Sequence, residues 1–75
     1  MDVNLAKTFL EIASHGSFLG AAQSLHLTQT AISARVRSLE ELLGQQLFVR
    51  NRSGATLTPA GERFSRYALI LVQAW

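Results

Sequence analysis

The stretch FLGAAQSLHLTQTAISARVRSLEELLG, residues 18–44, decides the fold. It opens with Phe18, Ala21, Ala22 and Leu25 at i, i+3, i+4 and i+7, the spacing of one helical face. Ser17 precedes them, and its hydroxyl oxygen can accept from a free N–H of a first turn. The spacing predicts a short helix over 18–25, whose small Ala21 and Ala22 let another helix come close. His26-Leu27-Thr28 then forms a tight turn, with Leu27 as its buried anchor. Thr28 caps a longer helix over 29–43, in which Ile32, Val36, Leu39 and Leu43 make an apolar face at i, i+4, i+7 and i+11. At about 100° per residue, Thr30, Ser33, Ala34 and Arg37 point the other way. Gly44 suits the left-handed residue that ends such a helix. A short helix, a tight turn and a longer amphipathic helix make a helix-turn-helix.

The flanks extend this pattern. Upstream, Leu5, Phe9, Ile12 and Ala13 predict an amphipathic helix over 3–14, capped by Asp2 and stopped at Gly16. Downstream, Leu47-Phe48-Val49-Arg50 and Ala55-Thr56-Leu57 read as short strands around Asn51-Arg52-Ser53-Gly54, whose Asn and Gly supply turn conformations. Thr58 caps a last helix with Pro59 at its first position. Phe64, Ala68, Leu71, Val72 and Trp75 line one side of it. The predicted fold is mainly α: a winged helix-turn-helix of three helices and a two-stranded wing over 1–58, followed by a linker helix over 59–75. That helix is still apolar where it stops, so the expectation is either a continuing chain or a second copy packed on it.

Composition narrows the function. A chain of 75 residues, 48% hydrophobic, makes one small domain with a modest core. A deep, dry catalytic pocket is hard to build at this size. There is no cysteine, so disulfides and thiolate metal sites are excluded, which fits a reducing cytoplasm. The first residues lack the basic and then apolar regions of a leader peptide. The longest apolar run, Tyr67 to Trp75, is broken by Gln73 and is far shorter than the ~20 residues of a membrane span. His15 and His26 have no carboxylate between them, and no HExxH, phosphate-loop or nucleophile-elbow motif occurs. His15 at a helix C-terminus suits the helix dipole instead. The expectation is a protein that is not an enzyme and takes no cofactor or metal.

Net charge is only +2, but the charges are unevenly placed. Arg35, Arg37, Arg50, Arg52, Arg63 and Arg66 all follow position 34, and no acidic residue occurs from Ile12 to Leu39. An acid-free stretch beside a basic one suits a polyanion. A DNA major groove about 12 Å wide admits one helix, and helix 29–43 offers short polar groups and a cation on its open side. Gln29 carries both the donor and the acceptor that adenine matches. Thr30 and Ser33 are short enough for base edges or a thymine methyl. Arg37, one turn beyond Ser33, suits a guanine or a phosphate; its alternative is a surface pair with Glu41, worth only ~0.2–0.5 kcal/mol. Arg35 projects from the flank, about 200° from Ser33, and is assigned to phosphate. Arg50 and Arg52 make a cationic wing (50–54) suited to the backbone or the minor groove. The rival reading is a winged helix that binds protein. It calls for large apolar groups on the outer face of helix 29–43, where Thr30, Ser33 and Arg37 stand instead.

The run from Phe18 to Ser33, with Val36-Arg37-Ser38-Leu39-Glu40, Leu42-Leu43-Gly44, Leu47-Phe48-Val49-Arg50 and Leu57-Thr58-Pro59-Ala60-Gly61-Glu62, resembles the signature of LysR-type transcriptional regulators. The agreement in residue type and order covers most of the chain without a gap. The resemblance implies a bacterial, cytoplasmic regulator with an N-terminal winged helix-turn-helix and a long linker helix. It implies a C-terminal effector-binding domain of periplasmic-binding-protein type, which this chain lacks and which takes a small molecule. It implies double-stranded DNA as partner, with an interrupted inverted-repeat operator. Gln29, Thr30 and Ser33 would face bases, and Thr28, Arg37, Arg50 and Arg52 would hold the backbone. Linker helices of the family pair antiparallel, so Phe64, Ala68, Leu71, Val72 and Trp75 become dimer-face residues, and a full-length protein could form tetramers. Some of these side chains compete for the first helix, so a division between core and partner is expected. Thr30 stands where many members have proline or serine, and Ala34 where many have a longer polar or basic side chain.

Overall fold

The structure, a computed structural model, describes residues 1–74. Four helices and one hairpin follow in the order α1 (Val3–His15), α2 (Phe18–Leu25), α3 (Gln29–Leu43), β1 (Phe48–Asn51), β2 (Gly54–Leu57) and α4 (Pro59–Ala74). Local chemistry sets the helix starts. Asp2 Oδ1 accepts from Asn4 N at 2.8 Å, Ser17 Oγ from Gly20 N at 2.9 Å, Thr28 Oγ1 from Ala31 N at 3.0 Å and Thr58 Oγ1 from Gly61 N at 3.0 Å. Each bond satisfies a donor that has no partner within its own helix. Gly16 and Gly44 end α1 and α3 in the left-handed region, at φ 72° and 67°. No glycine is available after α2, and His26 takes the same conformation at φ 57°.

A row of aromatic rings runs through the core. Phe64 of α4 meets Phe9 of α1 edge-on at 5.0 Å, Phe9 meets Phe48 of β1 at 5.1 Å, and Phe48 meets Phe18 of α2 edge-on at 5.7 Å. Edge-to-face pairs at these separations suit the ring quadrupoles. The row therefore joins α1, α2, α4 and the wing, while Ile32, Val36 and Leu39 bring α3 onto the same core. Among the described residues, Thr8 is the buried polar side chain. Its hydroxyl donates to Asn4 O at 2.8 Å and accepts from Arg35 Nη1 at 3.1 Å.

Three expectations are corrected. Ala13 is exposed, and Ala6, two turns earlier on the same flank of α1, is the residue fully covered by neighbours. Leu27 is only half-buried, packed on the core from its edge. The hairpin is tighter than expected. Asn51 pairs with Gly54 across the strands, which leaves only Arg52 and Ser53 in the turn. Asn51 Oδ1 closes that turn by accepting from Ser53 N and Oγ at 3.0 and 3.1 Å.

Two close approaches fix the wing. Ala55 N donates to Gly16 O at 2.8 Å, mooring β2 to the α1–α2 turn. Gly54 makes this possible: at φ 139° a Cβ would lie 2.1 Å from Gly16 O. At the other end, Thr58 N donates to Leu47 O at 3.0 Å and Thr58 Oγ1 to Gln46 O at 2.6 Å, while a Cβ on Gly61 would stand 2.2 Å from Leu47 O. The first turn of α4 thus rests directly on the loop that leads into β1.

Candidate nucleic-acid interface

The inward side chains of α3, Ile32, Val36 and Leu39, are buried, so the helix cannot rotate without exposing them. Its outward ridge is thereby set. Thr30, Ala34 and Arg37 are exposed on it, and Gln29 is exposed in the first turn. Ser33 is half-buried and lines a cleft shared with Phe48 and Arg50 of the wing. Among the described residues the ion pair present is His15 with Glu11 at 3.4 Å, so Arg37 is not paired with Glu41. Thr28 accepts from Ala31 N through its side chain and from Ile32 N through its carbonyl at 3.1 Å, and the residue is exposed.

Two clefts lie between α3 and the wing. One, about 360 Å³, is bounded by Ser33, Arg37, Glu40 and Gln46 on one side and by Phe18, Phe48 and Arg50 on the other. The other, about 320 Å³, places Gln29 opposite Asn51, Arg52 and Ser53, with Leu19 at its rim. The structure therefore brings Gln29, Ser33, Arg37, Arg50 and Arg52 to one side of the molecule. Glu40, which lines the first cleft, accepts from Leu47 N through Oε2 at 2.7 Å and holds the loop after α3. Arg50 sits on the divide between the clefts, its Cζ 4.0 Å from the centroid of the Phe18 ring.

Arg35 does not line these clefts; it leaves the opposite flank of α3 and donates through Nη1 to Thr8 of α1. The apolar side of α4 is divided between core and open surface. Phe64, at 7% exposure, and Ala68, at 0%, belong to the domain's own core, and Val72 packs half-buried against it. Leu71 is open at 37%, beside Tyr67 at 65% and Ile70 at 62%. Trp75 lies outside the described residues. Leu19 and Asn51 also line the second cleft, and the sequence reading did not single them out as site residues. Leu19 falls off the buried stripe of α2, which is the signal that it is exposed, but nothing local places it beside the wing.

Residues 3–62 match the family model described as bacterial regulatory helix-turn-helix protein, lysR family. The chain is 52% identical over all 75 residues to the HTH-type transcriptional regulator HdfR of Yersinia pestis (strain Pestoides F), covering 26% of that protein. It thus spans about a quarter of the curated relatives it matches. Among solved structures it is similar to CbnR_DBD in a DNA complex, with a TM-score of 0.94 at 32% identity, covering 99% of this chain and 85% of that one. It is also similar to BenM_DBD in complex with catB site 1 DNA, with a TM-score of 0.91 at 32% identity, covering 99% and 83%.

Proposed function

The chain belongs to the lysR family of bacterial regulatory helix-turn-helix proteins, and from that premise we propose that it binds double-stranded DNA sequence-specifically to regulate transcription. The observation that carries this reading is the open ridge of α3, with Thr30 and Arg37 exposed, Gln29 at its start and two cationic wing residues alongside. The DNA-bound neighbours of the same fold support it.

In this reading residues 1–58 form the DNA-binding unit, with α3 in the major groove. Gln29 reads adenine through its amide, and Thr30 and Ser33 meet base edges or a thymine methyl. Thr28 donates its hydroxyl proton to a phosphate oxygen. Arg37, Arg50 and Arg52 neutralise phosphates, with Arg52 at the wing tip free to enter the minor groove. The exposed methyl of Ala34 offers apolar contact at the centre of the ridge, so base preference there rests on shape and thymine methyls.

Residues 59–75 begin a linker helix that pairs with a second copy. Since Phe64 and Ala68 are occupied at home, the pairing face is Tyr67, Ile70 and Leu71, extended by Val72 at its edge. A twofold dimer reads an interrupted inverted repeat because its two halves are identical. Tetramers and a small-molecule effector would belong to the longer protein. The role is regulatory, not enzymatic, and its setting is the bacterial cytoplasm; among the described residues no helix is long and apolar enough to cross a membrane.

Selection from a random duplex pool tests the function, followed by anisotropy titration of the winner across salt concentrations. The expected result is one preferred motif and an affinity that falls by ~0.9 log units per log of salt for each phosphate neutralised. Binding that ignores both sequence and salt would refute it and favour a protein partner.

A further inference from the structure

Arg50 is held at both ends before any DNA arrives. Its backbone pairs with Ala55, and the N–H of Ala55 is bonded to Gly16 O at 2.8 Å. Its guanidinium carbon lies 4.0 Å from the centroid of Phe18. That ring is itself fixed, 5% exposed and edge-on to Phe48. An aromatic face attracts a cation through its quadrupole but presents no lone pair, so the guanidinium keeps its N–H donors for another acceptor. Among the described residues Arg50 has no carboxylate partner to compete for them. Its position between the two clefts puts it level with the stretch of α3 from Gln29 to Arg37. An unrestrained arginine would lose rotamer freedom on meeting a phosphate, and that loss weakens binding.

Resting on the DNA-binding reading, we propose that Phe18 is a positioning residue for recognition: its ring pre-sets the Arg50 guanidinium at the phosphate that flanks the groove entered by α3. The ring touches no DNA in this scheme. It acts through Arg50, by removing the ordering cost that Arg50 would otherwise incur on binding.

The test is a cycle of four chains, the parent, Phe18→Leu, Arg50→Ala and the double variant, titrated against one fluorescein-labelled duplex taken from the selection. Phe18→Leu is expected to weaken binding about two- to ten-fold with an unchanged salt slope. Arg50→Ala should weaken it and lower the slope by ~0.9. Adding Phe18→Leu to Arg50→Ala should then change nothing, and Phe18→Tyr, which keeps the ring, should bind like the parent. Equal weakening by Phe18→Leu in both backgrounds would make Phe18 an ordinary core residue and overturn the proposal. Tighter binding by Phe18→Leu would also overturn it, because the ring would then be withholding the cation from DNA. Should Phe18→Leu fail to fold, proton NMR of the parent decides: stacking requires the Arg50 δ protons to be shifted upfield by the ring current, and ordinary shifts would overturn the proposal. A parent that binds no duplex defeats the DNA reading itself, whereas tight binding with additive losses defeats this proposal alone.

Discussion

Replacing Gly54 with alanine asks whether the α1–α2 turn positions the wing. At φ 139° the new Cβ would stand 2.1 Å from Gly16 O, where ordinary contact begins at 3.4 Å, so the two must part by more than one ångström. The adjacent bond from Ala55 N to Gly16 O, 2.8 Å long, cannot survive that shift intact. Ala55 is 8% exposed, and a buried N–H left without an acceptor costs ~1–3 kcal/mol. Holding an L-residue at this φ adds a further ~1–3 kcal/mol. Stability of roughly 0.05–0.15 kcal/mol per residue gives a chain of this length ~4–11 kcal/mol in total. The variant should therefore melt at least roughly 8 °C lower. Its folded fraction should also bind duplex more weakly, because a wing lifted from Gly16 carries Arg50 away from Phe18. Thermal melts followed by circular dichroism, with anisotropy titrations below the transition, measure both. A melting temperature and duplex affinity both equal to the parent's would refute the argument that this contact sets the wing.

Other substitutions separate binding from folding. Gln29→Ala should cost ~1–3 kcal/mol of specific binding and relax preference at one base pair; a selection that returns the parental motif at full strength would contradict base reading by Gln29. Arg35→Ala should leave affinity and salt slope alone but lower stability to urea by ~0.5–1.5 kcal/mol, since it removes the donor to Thr8; a slope reduced by one phosphate would return Arg35 to the interface. Ile70→Asp should dissociate a dimer in sedimentation without unfolding it, whereas Ala68→Asp should unfold the domain by burying a charge; a parent that stays monomeric at all concentrations would rule out pairing through α4.

What was legible in the residues follows from how local the deciding physics is. Asp2, Ser17, Thr28 and Thr58 mark helix starts because a cap bonds within three residues of itself, and all four helices begin where those caps imply. The outward ridge of α3 was legible because one buried stripe determines its opposite. Roles set by distant partners were not. The angle of Arg35 on α3 was readable, but its acceptor Thr8 is 27 residues away on another helix. Phe64, Ala68 and Leu71 share one periodic stripe that serves equally well for a home core or a partner, and only the placement of α1 assigns Phe64 and Ala68 to the core. The register of the hairpin depended on Gly54 meeting Gly16, a contact that no turn preference encodes.

Thr58 has a mechanical consequence. With 16 residues rising ~1.5 Å each, α4 is a rod about 24 Å long, and a tilt of about 10° swings its far end by about 4 Å. The near end is riveted to Gln46 and Leu47 by two hydrogen bonds, and Gly61 sits flush on the same carbonyl. Because α4 also packs on α1 through Phe64, Ala68 and Val72, a tilt of its far end would have to carry α1 and the root of the hairpin with it.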